Sequence, residues 1–431
     1  MLSSEFKRFA SNLKKNPCDN PRRIGYAKLR QIQENRITSE SCGCPDIRQT
    51  SVTIGGICAE WLEPERAPAD KMILYIHGGG WSLGSIRQTR LFLAPMVQRF
   101  KVKTLHFDYR LMPEHPFPAG LDDCLAVYQG LLREGWRPEN IVLSGESAGA
   151  NLSLALLLRL KDLDLPLPAA ACLMSPITFM DSMEGSHTEL AELDLILAED
   201  SFILSDVAEL YAPGYDKRHP YLSPLYGDLK GMPPMMLLVG TDELLFDDTI
   251  RFYQKSRRSG NEVELLVGEH MTHSWPIFMK QFPEADKAVQ KMAEFIQIYL
   301  LQGGRRQELQ YEQYLMKMVM DEIEYNYAQA SLSRVAETCN QTIYGYSKLI
   351  HRCTGLTFKQ LLKNKRLEVV AQRLEESDQP VKAIASSVGY ENLTHFYELF
   401  RKKYGKTPQE YRGEFYNTQK DAKDVTALRG K

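Results

Sequence analysis

The pentapeptide at residues 145–149, Gly-Glu-Ser-Ala-Gly, places a serine where a catalytic nucleophile is expected. It follows the apolar run at 141–144 and precedes the helical pattern that begins at Asn151. A serine on a tight turn between a strand and a helix needs small neighbours, because a Cβ at Gly145 or Gly149 would collide with the turn. The amino end of the helix also offers free N–H groups beside the serine. We therefore predict that Ser147 is the nucleophile of a serine hydrolase.

A glycine-rich segment, His77-Gly-Gly-Gly-Trp81, also follows an apolar run and stands 70 residues before Ser147. Consecutive glycines after a strand let backbone N–H groups come close to a substrate oxygen. Together with the N–H group of Ala148, they would hold the oxyanion of a tetrahedral intermediate. A phosphate-binding loop usually carries Lys-Ser/Thr after its glycines, whereas Trp-Ser-Leu follows here. We therefore favour an oxyanion hole over a phosphate cradle or a flexible loop.

An acid and a base follow the serine in the order that a hydrolase of this kind requires. Asp242 comes just after the strand pattern at 235–239, and His273 stands 31 residues further on, after the strand pattern at 263–266. A serine hydroxyl is a weak nucleophile unless a histidine takes its proton. A carboxylate beside that histidine selects the productive tautomer. The order predicts a triad of Ser147, Asp242 and His273.

Other residues compete for two of these roles. His270 is the alternative to His273 as the base, and Asp247 and Asp248 are alternatives to Asp242, although they come about one helical turn later. The His-x-x-His spacing at 270–273 is compatible with a metal site, but the sequence offers no evident third ligand. Asp242 and His273 could also be unrelated loop residues. We expect neither a metal ion nor a cofactor.

The elements that must position these groups alternate between 47 and about 300. Helical stretches such as 121–134 and 148–161 separate short apolar strands, which predicts a mainly parallel sheet with helices on both faces. The acidic stretch at 181–219 interrupts the alternation and could form a lid. Residues 1–45 have an amphipathic helical pattern. The predicted strands are Met72–Ile76, Thr104–Phe107, Ile141–Ser144, Ala170–Met174, Met235–Val239 and Val263–Leu266.

Residues from about 70 to 300 resemble the hormone-sensitive-lipase-like family of α/β-hydrolase carboxylesterases. The resemblance is carried by the two glycine motifs above, by Tyr109-Arg-Leu-Met-Pro-Glu-His-Pro-Phe-Pro-Ala119, and by Ser223-Pro-Leu225 before Pro233-Pro234. It implies an α/β-hydrolase sheet with a helical cap formed by residues 1–45 and 181–219.

The same resemblance maps individual residues onto the family's site. Ser147, Asp242 and His273 correspond to the triad, and Gly78, Gly79 and Ala148 correspond to the oxyanion hole. Two positions depart from the family pattern: Glu146 stands where Asp or Thr is more usual, and Asp-Glu-Leu replaces Asp-Pro-Leu at 242–244. Neither departure removes a catalytic atom, so esterase activity is expected.

After about residue 312 the strand patterns end and a helical repeat begins. The apolar spacing of Leu332, Val335, Ala336 and Cys339 recurs 49 residues later at Val381, Ile384, Ala385 and Val388. Each face is followed by a second helix that ends at a glycine, Gly355 or Gly405. This repeat predicts two helix-turn-helix motifs in tandem. Residues 358–376 between them predict one helix of roughly 28 Å, which could set two recognition helices into successive major grooves.

The charge distribution supports a DNA partner for this half. Residues 331–431 contain 18 Lys/Arg and 11 Asp/Glu, a net charge of +7, whereas residues 1–330 carry −9. A basic block on an acidic body favours a polyanion. The alternative is a small helical bundle whose charges are only solvated. The base-reading candidates are Thr342, Tyr344, Lys348, Asn392, Thr394, His395 and Glu398. The phosphate candidates are Lys363, Lys365, Arg366, Arg401, Lys402, Lys403 and Lys406.

Residues from about 314 to 413 resemble the DNA-binding domain of the AraC/XylS family. The stretch from Ile384 through Phe396-Tyr-Glu-Leu-Phe-Arg-Lys-Lys-Tyr-Gly-Lys-Thr-Pro-Gln-Glu-Tyr-Arg412 carries the resemblance. Many members of that family have a sugar-binding β-barrel upstream, whereas this chain has the hydrolase pattern there.

Composition limits the remaining possibilities. The chain is 43% hydrophobic and 25% charged, as in soluble globular proteins. It shows neither a signal peptide at its start nor a run of 18 apolar residues, and its eight cysteines fit reduced core positions. Cys42-Gly43-Cys44 is the one close pair, and we expect a plain loop there. These features favour a cytoplasmic protein with no membrane partner.

The combined prediction is an AraC-family transcriptional regulator with an N-terminal serine carboxylesterase domain that hydrolyses or senses a small ester. The alternatives are a ligand sensor without turnover, and an esterase whose helical tail only mediates association. A homodimer is compatible with either. The predicted divisions are a hydrolase domain at 1–302, a linker at 303–311, a DNA-binding domain at 312–415 and a polar tail at 416–431.

Overall fold

The computed structural model describes residues 2–16, 19, 21–37, 44–181, 185–197, 204–301, 307–338 and 342–414. The predicted polar tail and Cys42 lie outside the described residues. The chain divides into two compact units, an N-terminal unit of Met1–Arg305 and a C-terminal unit of Arg306–Lys431. A helix already begins at Gln307, so the later part of the predicted linker, 307–311, is helical.

The N-terminal unit is built on one eight-stranded sheet with the strand order β1-β2-β4-β3-β5-β6-β7-β8. Strand β1 pairs antiparallel with β2, and β2 pairs antiparallel with β4, whereas all later pairs are parallel. The predicted α/β class is confirmed. The strands are Ile47–Ile54 (β1), Ile57–Pro64 (β2), Met72–Ile76 (β3), Lys103–Phe107 (β4), Ile141–Glu146 (β5), Ala170–Met174 (β6), Met235–Gly240 (β7) and Val263–Gly268 (β8).

Helices cover both faces of this sheet. Helices α5, α6 and α9 pack against one face and helices α4 and α10 against the other, so strands β3, β5, β6 and β7 are buried along their whole length. The helices are Ser4–Lys15 (α1), Pro21–Ile24 (α2), Tyr26–Asn35 (α3), Ile86–Phe100 (α4), Ala119–Arg133 (α5), Ala148–Asp162 (α6), Ser186–Glu189 (α7), Leu204–Tyr211 (α8), Phe246–Arg258 (α9) and Pro283–Leu301 (α10).

Strands β1 and β2, which form a hairpin, are not among the strands predicted from apolar runs. Strand β1 buries its two ends and exposes much of its middle, so it lacks the apolar run that marks the inner strands. The sequence feature that indicates this hairpin is Gly55-Gly56. Both residues have positive φ, 60° and 87°, as a tight two-residue hairpin turn requires.

Helix α1 packs beside the start of α10. Its buried Phe6 and Phe9 pack against Phe282, with ring centroids 5.1 Å and 5.0 Å apart. The Ser3 hydroxyl donates to Glu284 on α10 at 2.7 Å. The apolar stripe of α1 is therefore covered by the aromatic surface beside α10, and the assignment of residues 1–45 to a cap stays a prediction.

The C-terminal unit is entirely helical in its described part. Its helices are Gln307–Tyr325 (α11), Leu332–Thr338 (α12), Ile343–Thr354 (α13), Phe358–Glu376 (α14), Val381–Ser387 (α15) and Leu393–Tyr404 (α16). Helices α12–α13 and α15–α16 form the two predicted helix-turn-helix pairs, and α14 has the predicted bounds. A capping box between Thr357 and Gln360 begins α14.

Helix α14 contributes to two separate hydrophobic clusters. The first cluster joins α11, α12 and α13 and includes Phe358 at the start of α14. The second joins α15 and α16 to Leu367, Val370 and Leu374 of α14. Each helix-turn-helix pair therefore has its own core, and α14 is shared between them.

Arg366 of α14 ties the two pairs together. Its guanidinium donates to the backbone carbonyls of Tyr327, Ala328 and Gly389 at 2.8, 3.0 and 3.0 Å. Gly389 has φ 90°, and a Cβ there would lie 2.3 Å from the Ala328 carbonyl oxygen. The predicted phosphate contact of Arg366 is therefore wrong, because its donors bind inside the domain. No helix in the described part of the chain is long and apolar enough to cross a membrane.

Replacing Arg366 with Met should destabilise the C-terminal unit by roughly 1–3 kcal/mol, because three carbonyl groups lose a charged donor. Hydrogen exchange of the α14 and α15 amides in the full chain measures this change. Arg401→Met is the matched control, since Arg401 is exposed and should change stability by less than about 0.5 kcal/mol. Equal effects of the two substitutions would contradict a joining role for Arg366.

Candidate active site and nucleic-acid interface

Ser147 occupies the turn between β5 and α6 in a strained backbone conformation. Its φ and ψ are 54° and −122°, a backbone region that residues other than glycine rarely adopt. A Cβ at Gly145 or at Gly149 would lie 2.6 Å or 2.1 Å from the Ile76 carbonyl oxygen. The glycines are therefore required by contact with the neighbouring strand, as predicted. This turn presents Ser147 at the carboxyl end of the sheet.

His273 lies in the loop after β8, and its side chain is only 6% exposed. Its Nδ1 atom is 3.6 Å from Oε2 of Glu243. That carboxylate is fully buried and accepts a hydrogen bond from the Ser175 hydroxyl at 2.9 Å. The Ser175 hydroxyl oxygen also accepts from the N–H of Ser274 at 3.0 Å. Ser175 therefore joins the acid to the histidine loop.

The same strand end reaches the nucleophile. The N–H of Ser147 donates to the Met174 carbonyl at 2.9 Å, and Met174 directly precedes Ser175. The ends of β5, β6 and β7 and the loop after β8 thus bring Ser147, Glu243 and His273 to one region.

The predicted pairing of Asp242 with His273 is wrong. Oδ2 of Asp242 lies 3.4 Å from Nδ1 of His270, and these side chains are 26% and 58% exposed. Consecutive side chains beyond the end of β7 point to different sides, so Asp242 faces the surface while Glu243 enters the interior. The sequence does contain an indication of the correct acid. The family pattern is Asp-Pro-Leu, and Glu243 in place of Pro supplies a second carboxylate. The histidine that meets a buried acid is His273, as predicted, and not His270.

Asp247 and Asp248, the other predicted alternatives, anchor a neighbouring segment. Asp248 accepts from the N–H of Thr178 at 2.8 Å and lies 2.5 Å from Nε2 of the buried His187. Asp247 accepts from the N–H of Ser186 at 2.9 Å. These two carboxylates therefore bind Thr178, Ser186 and His187.

The groups around His273 raise the pKa of its imidazole. Burial alone would lower the pKa of this imidazole, but hydrogen bonding and charge from Glu243 outweigh it and raise the pKa. Asp194 and Glu146 add to the increase through their charges. A histidine that is stabilised in its protonated form beside a buried carboxylate is suited to accept a proton during a reaction.

The glycine-rich loop meets the nucleophile turn closely. A Cβ at Gly78 would lie 3.1 Å from Cβ of Ser147. The N–H of Gly78 donates to Oε1 of Glu146 at 2.7 Å. The predicted oxyanion contact from Gly78 is therefore contradicted, because this donor already binds a carboxylate. Gly79 and Ala148 stay the predicted donors.

Part of the predicted lid packs on this loop. Tyr211 of α8 stacks on Trp81, with ring centroids 4.4 Å apart and an interplanar angle of 10°. The Phe117 N–H donates to the Tyr211 carbonyl at 2.6 Å. Farther back in the 181–219 region, the carboxylate of Asp194 accepts from the N–H of Leu244 at 2.9 Å. Segments of the lid therefore contact both the glycine-rich loop and the loop that carries Glu243.

In the C-terminal unit, two predicted base-reading residues act as helix caps. The side-chain oxygen of Thr342 accepts from the N–H of Gly345 at 3.0 Å, and that of Asn392 accepts from the N–H of His395 at 3.0 Å. These bonds satisfy free donors at the starts of α13 and α16. The capping oxygens are therefore engaged in the fold.

Other predicted DNA-contacting side chains are exposed on the same two helices. Tyr344 is 79% exposed, and the side chains of His395 and Glu398 are 63% and 73% exposed. Lys348, Thr394, Arg401 and Lys402 are also exposed. Three predicted phosphate contacts instead form ion pairs with glutamates inside the unit: Lys365 with Glu324, Lys403 with Glu368 and Lys406 with Glu414.

Comparison with known proteins identifies both units. Residues 73–277 match the family model described as the alpha/beta hydrolase fold, and residues 335–414 match the helix-turn-helix domain model. An acetyl-hydrolase of Streptomyces hygroscopicus is 36% identical over 278 residues, covering 64% of this chain and 89% of that protein. An esterase of Acinetobacter venetianus is 35% identical over 257 residues, covering 58% and 82%.

Solved structures agree with this assignment. The crystal structure of an esterase/lipase from an uncultured bacterium has a TM-score of 0.64 at 34% identity, covering 69% of this chain and 99% of that chain. An esterase from the bacterial hormone-sensitive lipase family has a TM-score of 0.63 at 32% identity, covering 70% and 99%. The chain therefore belongs to the hormone-sensitive-lipase-like α/β-hydrolase family, and an AraC-type helix-turn-helix domain follows its hydrolase domain.

Proposed function

We propose that this protein is a transcriptional regulator whose N-terminal domain is a serine carboxylesterase acting on a small ester. The observations that carry the enzymatic part are the strained turn at Ser147 and the buried pair of His273 and Glu243. The esterase names of the relatives support the same reaction class. The exposed helix-turn-helix surfaces carry the regulatory part.

In the proposed reaction, Oγ of Ser147 attacks the ester carbonyl while Nε2 of His273 takes the hydroxyl proton. Glu243 holds Nδ1 of the imidazole and stabilises its protonated form. The N–H groups of Gly79 and Ala148 receive the developing oxyanion. His273 then gives its proton to the leaving alcohol, and an acyl-enzyme is left on Ser147. Water activated by His273 attacks that ester, which releases the carboxylic acid and restores the serine.

Glu243→Gln should lower kcat by roughly 10²–10⁴-fold, because an amide stabilises neither the imidazolium nor the correct tautomer. The matched control is Asp242→Asn, the adjacent carboxylate, which should change kcat by less than about threefold. Hydrolysis of a short p-nitrophenyl ester measures both, with Ser147→Ala as the baseline. A larger loss in Asp242→Asn than in Glu243→Gln would overturn the acid assignment. Wild-type activity equal to that of Ser147→Ala would overturn the esterase itself.

For DNA, we propose that Tyr344 and Lys348 on α13, and Thr394, His395 and Glu398 on α16, contact base edges. Their exposure along one side of each helix supports this assignment, because the opposite side is buried in the two clusters. Lys348 could donate to guanine, and Glu398 could accept from a cytosine amino group. Arg401 and Lys402 would bind phosphates. The side-chain oxygens of Thr342 and Asn392 cap the helices, so these two residues are left out of the proposed base contacts.

Arg401→Ala should weaken binding similarly on all sequences and reduce the salt slope of log Kd by about one, because one phosphate contact is lost. Tyr344→Ala should instead change the relative affinity for different base sequences. Fluorescence anisotropy across a salt series with selected and scrambled duplexes separates the two effects. A salt-independent affinity of the wild type would contradict DNA binding by this surface.

We further propose that ligand occupancy of the esterase site alters DNA binding, with acylation of Ser147 as one signal. Such coupling requires different ligand affinities in two states of the protein. The alternatives are a ligand sensor without turnover and an esterase whose helical tail only mediates association. Intact candidate groups at both sites favour the coupled function over either alternative.

If acylation is the signal, Ser147→Ala should abolish ester-dependent promoter control while leaving promoter affinity without ester unchanged. Binding of wild type and variant to the promoter region, with and without candidate esters, measures this directly. Unchanged ester dependence in Ser147→Ala would exclude acylation and favour simple ligand sensing.

A homodimer and a cytoplasmic location also stay proposals. Strand β8 is the last strand in the sheet order, which leaves an edge compatible with a second copy. A protein that regulates transcription must reach DNA, which supports a cytoplasmic location.

A further inference from the structure

Glu146 is a buried carboxylate that the reaction above does not use. It stands directly before Ser147 and is 7% exposed. Its Oε2 accepts a hydrogen bond from the Tyr75 hydroxyl at 2.5 Å, and its Oε1 accepts from the Gly78 N–H at 2.7 Å. A carboxylate removed from water needs such partners. Both of its oxygens therefore have defined positions beside the nucleophile.

The contact with Gly78 reaches the loop that carries the oxyanion donor. Strands β3 and β5 are parallel neighbours, and Ile76 pairs with Gly145. The glycine-rich loop leaves β3 just after this pair, so it passes over Glu146. A Cβ at Gly78 would lie 2.8 Å from the Glu146 carbonyl oxygen. The loop backbone and the nucleophile turn are therefore in direct contact.

Other groups hold the preceding residue but not Gly78 N–H. The Tyr109 hydroxyl donates to the His77 carbonyl at 2.9 Å, and the two rings stack with centroids 4.3 Å apart. His77 Nδ1 lies 2.9 Å from the Gly78 carbonyl oxygen. The peptide group between His77 and Gly78 is therefore held at both of its polar atoms, because Tyr109 donates to its carbonyl oxygen and Glu146 accepts from its N–H. The peptide group after it carries the predicted donor of Gly79.

Glu146 also acts on the candidate base through its charge. Burial raises the pKa of Glu146 to about 7, while hydrogen bonds from Tyr75 and Gly78 and the charge of His273 oppose that increase. In return, the charge of Glu146 contributes to the raised pKa of His273, after the larger effect of Glu243. Burial, together with the charge of Glu146, also raises the pKa values of Tyr75 and Tyr109. The ionised form of Glu146 therefore favours the imidazolium that forms when Ser147 is deprotonated.

We propose that Glu146 is a positioning residue of the esterase reaction: it fixes the oxyanion loop through the Gly78 N–H and stabilises protonated His273 by its charge. This proposal rests on the proposed esterase function. Glu146 stands where the family more often has Asp or Thr, and the proposal gives this residue a role in the site. It also gives the Gly78 N–H a role in holding the loop.

The two contributions can be separated by Glu146→Gln and Glu146→Asp. The amide keeps the length and an acceptor for Gly78 but removes the charge. Its effect should be an acidic limb of kcat/KM shifted to lower pH by roughly half a unit to one unit, because His273 loses a neighbouring negative charge. The aspartate keeps the charge but is too short to reach Gly78 as Glu146 does. In Glu146→Asp the acidic limb of kcat/KM should stay near that of the wild type, while kcat falls by roughly 10-fold with little change in KM.

The experiment is a pH profile of p-nitrophenyl acetate hydrolysis by the full chain, with circular dichroism and thermal unfolding to verify folding. Asp242→Asn is the control, because it removes a partly exposed carboxylate from the same loop as Glu243 and should change neither the acidic limb nor kcat. Tyr75→Phe serves as a second variant if an acidic substitution fails to fold. It removes one hydrogen bond to Glu146 and should lower kcat by a smaller factor.

The proposal is overturned if the acidic limb of kcat/KM does not move in Glu146→Gln and kcat does not change in Glu146→Asp. That outcome would leave the esterase function intact. A lower kcat in both variants without any shift of the limb would reject the electrostatic role. Wild-type hydrolysis no faster than that of Ser147→Ala would instead overturn the esterase function, and the proposal with it.

Discussion

The close approach of the Ile76 carbonyl to the nucleophile turn determines the arrangement of the candidate active site. Cβ atoms at Gly145 and Gly149 would lie 2.6 Å and 2.1 Å from that oxygen, far inside van der Waals contact. Strand β3 can therefore end against the turn only because both residues are glycine. This approach brings the glycine-rich loop over Ser147. It also leaves Glu146 between that loop, through Gly78, and strand β3, through Tyr75. The remaining groups are arranged around this contact by the ends of β6 and β7.

Much of this organisation could be predicted from the sequence because it depends on local patterns. The glycines around Ser147, the tandem repeat and the bounds of α14 each have a signal within a few residues. Asp242 was the wrong acid because its assignment depends on which side of the sheet a residue faces two positions after a strand ends. Arg366 was wrong as a phosphate contact for a related reason. Its three carbonyl partners come from segments 23 to 39 residues away, and no local pattern indicates them.

Helix α1 shows the same limit in packing. Its amphipathic pattern correctly predicts a helix with one apolar face, but the pattern does not specify the surface that covers that face. The aromatic residues beside α10 provide this surface. An apolar stripe on a helix therefore predicts burial more securely than it predicts location.

The sharing of α14 between two clusters has a consequence for how operators of this protein can change during evolution. Phe358 belongs to one cluster and Leu374 to the other, so inserting or deleting a residue between them would rotate one apolar face by about 100°. One of the two small cores would then be lost. If each helix-turn-helix pair binds one half-site, as proposed, the angular phase of the two half-sites around the DNA axis is inherited with the fold. Exposed residues such as Tyr344 and Glu398 can change without that penalty, so the proposed base contacts can diverge while the spacing of the two recognition helices is kept.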